Sequence, residues 1–122
     1  SYKPVLIQAI LLYADDKGRV KLDDIVSYFR SFYEGRRTAG LPVEKKNSIF
    51  ARGAYTDAEA KRNILSNPFK RFEDMQMLRH TKTLGIVQVE ETVWKHLTAD
   101  EKDEIGRICE EKLTKYYTRL TA

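Results

Sequence analysis

A chain of 122 residues, 42% hydrophobic and 33% charged, has the make-up of one soluble globular domain, long enough to bury a core without metal or disulfide staples. No apolar run approaches a membrane span, since LIQAILLY stops at Asp15 and Asp16; the single cysteine, Cys109, excludes an internal disulfide and favours a reducing, cytoplasmic setting. The net charge of +4 is uneven: residues 1–89 hold sixteen Lys and Arg against ten Asp and Glu, and residues 90–122 hold six against eight. Such a mildly basic body is compatible with nucleic-acid binding without demanding it.

The opening Ser1-Tyr2-Lys3-Pro4, with no Met and no secretory pattern, reads as the start of a piece of a longer protein. KPVLIQAILLYA follows, with Pro4 near a helix start and apolar residues at 5, 6, 9, 10 and 13, which predicts a largely buried helix. Asp15-Asp16-Lys17-Gly18 is a turn. RVKL is too short for an independent strand and is expected to pair with a later one. KLDDIVSYFRSFYEGRR places apolar residues at 22, 25, 26, 29, 32 and 33 on one helical face, with Asp23 in its first turn and Arg36 and Arg37 at its far end.

Residues 38–55 hold two glycines and a proline and show no sustained period. They read as a long connection that packs Leu41, Val43, Ile49 and Phe50. Thr56 and Glu59 form a capping box for a helix running through Leu65. Pro68 falls inside the next apolar pattern, where it would cost roughly 3 kcal/mol in a helix interior. Asn67 is a favoured N-cap and Pro a favoured first helical residue, so the pattern divides into helix, tight turn and second helix, DAEAKRNIL and PFKRFEDMQ. The second helix is expected to turn Phe69, Phe72, Met75 and Leu78 inward, and Lys70, Arg71 and Asp74 outward.

Alternation then predicts a β-hairpin, LRHTK and GIVQVEE, around Thr83-Leu84-Gly85. Trp94 and Leu97 pack in a short segment. Thr98 and Glu101 repeat the capping box for a last helix carrying Ile105, Ile108, Cys109, Leu113 and Tyr116, and the Tyr116-Tyr117 pair reads as a surface for a neighbouring domain. The fold class is mainly α with a small β-hairpin, winged helix-turn-helix-like, over residues 1–122.

The candidate nucleic-acid-binding residues are Asn63, Asn67, Lys70 and Arg71 on the helix–turn–helix and Arg79, His80 and Lys82 on the hairpin. A second basic group is Arg36, Arg37, Lys45 and Lys46. Amide donors at a helix start with cations on its outer side suit phosphates or a groove, although Glu73 and Asp74 repel phosphate wherever they face it. Tyr28, Phe29, Phe32 and Tyr33 beside these arginines allow base stacking, but their spacing makes most of them core.

Catalytic, cofactor and metal sites are not indicated. His80 and His96 have no partner at metal spacing, Cys109 falls on an apolar helix face, and the acidic pairs lie outside nuclease contexts. No GxxxxGK[ST] phosphate loop is present, so the chain could not hydrolyse ATP by itself.

FKRFEDMQML resembles the region of winged-helix proteins where the recognition helix runs into the wing, over about residues 56–90. Gln76 stands where that family usually places Gly, at a position that favours a left-handed backbone. SYKPVLIQAILLYADDKGRVKLDDIVSYFRSFYEGRRTAGLPVEKKNS and RNILSNPFKRFEDM together resemble, over nearly the whole chain, an accessory domain towards the C-terminus of bacterial DEAD/DEAH-type helicase-like proteins and restriction-associated ATPases. That resemblance implies a non-catalytic DNA-binding module whose partners are DNA and the motor domain of a longer parent. The alternative is a protein-interaction domain docking on that motor or on another subunit.

Overall fold

The computed structural model describes residues 1–121. The chain runs α1 (Tyr2–Tyr13), β1 (Arg19–Lys21), α2 (Leu22–Thr38), α3 (Ile49–Arg52), α4 (Asp57–Ser66), α5 (Pro68–Asp74), β2 (Leu78–Thr81), β3 (Ile86–Val89), α6 (Glu91–His96) and α7 (Ala99–Leu120). It is mainly helical, with a three-stranded antiparallel sheet in the order β1-β3-β2. The short RVK strand finds the partner its length requires: Val20 pairs with Val87, and β2 closes the other side with Leu78 opposite Val89.

The core gathers around α1, whose Val5, Leu6, Ala9 and Ile10 are buried. α1 packs against α2, α7, α5 and β1. Contact with four elements explains its broad apolar pattern. A second centre is aromatic: Phe29, Tyr33 and Phe50 are almost completely buried, and the rings of Tyr33 and Phe50 stack with centroids 4.7 Å apart.

Residues 38–55 form a long connection that packs Val43, Ile49 and Phe50, as expected, and they also hold one helical turn. Ser48 accepts a hydrogen bond from the Phe50 N–H and caps the one-turn helix α3, which presses Phe50 into the core. One turn is too short to leave a readable period. Leu41, expected to pack, is 49% exposed. Tyr13, the last residue of α1, is likewise exposed, its ring edge-on to Tyr28 of α2 with centroids 6.4 Å apart. Ile108 is on the exposed side of α7, whereas Cys109, Leu113 and Tyr117 are its buried residues.

The proline is a helix start, as its surroundings predict: α4 ends at Ser66 and Pro68 opens α5. Asn67 makes no side-chain cap, however; at φ −119° and ψ −87° it bends the chain, and its N–H bonds back to the Asn63 carbonyl. α5 also ends two residues before the expected Gln76. The Met77 N–H reaches the Phe72 carbonyl at 2.9 Å and the Gln76 N–H reaches Glu73 at 2.9 Å, with Gln76 at φ 60°. These bonds form a Schellman closure with glutamine in the left-handed position usually given to glycine. Met75, expected in the core, becomes the C-cap and is 62% exposed.

Candidate functional site

Asn67 sits at the bend between α4 and α5, and Arg71 lies four residues on, which places the two on one side of α5. Arg71 is exposed and makes no ion pair among the described residues. Lys70 is different. Its Nζ is 2.7 Å from Asp74 Oδ1 and 3.7 Å from Glu73 Oε1. The hydrogen bond that Lys70 donates to Asp74, and then the charge of Asp74, hold the Lys70 ammonium above the ordinary lysine range. Both acids lie in the same helix as the lysine, so α5 offers less positive charge than its two cations suggest.

The loop before α3 meets this unit. Lys45, Asn63 and Asn67 border one polar cavity of about 340 Å³, whose other walls include Tyr2, Ser48 and Tyr116. Asn63 Oδ1 is buried there without a hydrogen-bond partner. The Glu44 side chain, only 6% exposed, belongs to the same wall and accepts hydrogen bonds from the Ser1 and Tyr116 hydroxyls. Tyr117 donates to the Val43 carbonyl at 2.9 Å. The terminal tyrosine pair, expected to face a neighbouring domain, thus fastens α7 to the 43–44 loop. Nothing in the aperiodic 38–55 stretch marks Glu44 as a buried carboxylate, since its partners, Ser1 and Tyr116, are distant in sequence. Lys45 and Lys46 are exposed beside it.

Arg36 and Arg37 are structural tethers. Arg36 donates through Nε to the Pro42 carbonyl at 2.5 Å, and its guanidinium lies 3.4 Å from the Tyr117 ring centroid. Arg37 donates to the carbonyls of Phe50 at 2.5 Å and Ala51 at 3.2 Å. Both spend donors on the long loop that a phosphate would otherwise use. A helix end rich in arginine does not reveal from sequence whether its guanidiniums face solvent or neighbouring carbonyls.

The hairpin splits its three candidates. Alternation along β2 sends Leu78 and His80 to one face and Arg79 to the other. His80 packs edge-on to Phe69 of α5, with centroids 6.2 Å apart. Arg79 borders a cleft with Glu73, Glu90 and Glu91. Lys82 lies exposed in the connecting turn. Arg62 of α4, which sequence reading left out, is exposed and unpaired among the described residues, and KRN beside the turn was its available signal.

No family model, curated protein or solved structure matches this chain. Its own geometry therefore carries the functional argument. Among the described residues, no three His, Cys, Asp or Glu side chains gather as a metal site, and no helix is long and apolar enough to cross a membrane.

Proposed function

We propose that the chain is a non-catalytic DNA-binding module of winged-helix type, part of a longer bacterial helicase-like or restriction-type ATPase and working in the cytoplasm. The observation that carries this reading is the placement of the free Arg71 on α5, one turn beyond the bend at Asn67, in a helix–turn–helix followed directly by a hairpin. The element order supports it: α1, β1, α2, the α4–α5 unit, then β2 and β3 with β1 on β3, the plan of a winged helix. Asn67, Arg71, Lys45 and Lys46 supply the phosphate-facing groups, Lys82 extends them on the wing, and Arg62 precedes the turn.

The binding is electrostatic, positioned by phosphate contacts rather than base edges. Affinity then falls steeply with salt, with a logarithmic slope of about −0.9 per phosphate neutralised on duplex DNA. Fluorescence anisotropy with duplex and forked DNA across a salt series tests this. Arg71→Glu with Lys45→Glu should weaken binding at least tenfold and flatten the slope while circular dichroism stays unchanged. Unaltered affinity in that variant sinks the assignment.

A second reading, docking of this face on the parent motor or a partner subunit, draws on the internal use of Arg36, Arg37 and Lys70, which leaves fewer free cations. A gel shift at low salt separates the two, since the docking reading predicts none at micromolar protein.

A further inference from the structure

The Schellman closure of α5 does more than end a helix. It brings Met77 beside Phe72, and the two form one wall of a groove of about 200 Å³ completed by Ile7 and Leu11 of α1, Trp94 of α6 and Ile105 of α7. Every residue bordering this groove is apolar. Leaving it filled by water forfeits the dispersion and burial that the same side chains would gain against an occupant.

Met77 and Leu78 also form a wall of a second cleft, of about 480 Å³, bordered by Glu73, Glu90 and Glu91 with Arg79 as its one cation. Glu90 holds the N–H groups of Thr92 and Val93, Glu73 is 3.7 Å from the Lys70 ammonium, and Glu91 is exposed with no ion pair among the described residues. Carboxylates thus exceed cations at the Met77 end. Beside Trp94, another wall of the groove, Lys102 lies 4.0 Å over the ring. Gln76, at φ 60°, borders the acidic cleft next to Met77, which lines both. A non-glycine residue held in the left-handed region stores strain, which clusters where a surface is shaped for a ligand.

The geometry points to a docking site for a basic segment of another protein, one that seats an aliphatic or aromatic side chain in the groove and lays a Lys or Arg in the acidic cleft. The clefts share Met77 and Leu78 as walls, so anchor and cation belong to one short segment of the partner. This surface is opposite in charge to the proposed DNA-binding face and adjoins it along α5, where Glu73 follows Arg71 by two residues.

Trp94, the only tryptophan, reports on occupancy through its fluorescence. The probes are three blocked nine-residue peptides: one with a central Phe followed by three Lys, one with Glu replacing the Lys, and one with Ser replacing the Phe. The expected result is a saturable change in Trp94 emission with the Phe–Lys peptide, at least tenfold weaker binding of the Phe–Glu peptide, and loss with the Ser peptide. Glu73→Lys with Glu91→Lys, both exposed positions, should reverse the charge preference without altering circular dichroism, whereas Arg71→Glu should leave peptide binding intact. Equal binding of the Lys and Glu peptides overturns the proposal, as does no saturable change with any of them. Self-association in sedimentation that shields Trp94 also overturns it, by making a second copy the occupant.

Discussion

Lys70 Nζ lies 2.7 Å from Asp74 Oδ1, one turn further along the same helix. An exposed pair of this kind adds little to stability, so its main effect is on what Lys70 offers a ligand. Asp74→Asn should strengthen DNA binding several-fold and steepen the salt slope by about 0.9 if the released lysine takes one more phosphate. Weaker or unchanged affinity, measured by anisotropy at two salt concentrations, would place Lys70 outside the interface.

Gly18 and Trp94 meet across the β1 turn. A Cβ at Gly18 would stand 2.7 Å from Trp94 Cγ, and the residue holds φ 77°. Gly18→Ala therefore combines a left-handed backbone with displacement of a ring, mechanisms that together cost about 2 kcal/mol or more. Urea unfolding should show a lower midpoint with an unchanged slope, and Trp94 emission should shift to the red in the native state. A native spectrum identical to the parent's would show that the ring does not pack on this turn.

Phe50 tests how far sequence patterning reaches. Helices with several turns declare themselves by period: the 22, 25, 26, 29 and 33 positions of α2 are its buried residues. Capping boxes at Thr56 and Thr98 fix two helix starts through side chains that can make only local bonds. A one-turn helix has no period, and the internal bonds of Arg36 and Arg37 depend on a loop brought back from more than a turn away. The candidate site was legible where it lay on α4 and α5, and illegible where Glu44 and the terminal tyrosines close the cavity. Phe50→Ala, in a connection expected to pack this ring, should cost about 3–5 kcal/mol as a deleted core aromatic. A loss under 1 kcal/mol by denaturant titration would make the 38–55 segment a loosely attached loop.

Gln76 occupies the left-handed position of the α5 closure with its side chain exposed. Substitution there removes no core contact, so backbone conformation decides the outcome. Gln76→Gly should raise stability by about 0.5–1 kcal/mol, the relief of left-handed strain less the extra freedom of glycine when unfolded. Gln76→Val should lower it, because a β-branched side chain tolerates this region least. A destabilising glycine would mean that the glutamine makes a compensating contact.

Three carboxylates bind the backbone at helix starts: Glu59 at Thr56, Glu90 at Val93 and Thr92, and Glu101 at Thr98. Those N–H groups, the first cause in each case, hold all three below the ordinary glutamate value of 4.5. A carboxylate whose folded pKa is depressed stabilises the native state above its unfolded value, and that contribution disappears as pH falls through the folded one. Stability should therefore hold steady above about pH 5 and decline progressively below 4.5, as these caps lose the charged form that accepts the N–H bonds. The triple variant Glu59→Gln, Glu90→Gln, Glu101→Gln should start lower at pH 7 and lose less on acidification, since a neutral amide still accepts a hydrogen bond but does not titrate. Urea midpoints between pH 3 and pH 7 check this. Parallel acid limbs for the parent and the triple variant would move the acid sensitivity to other carboxylates.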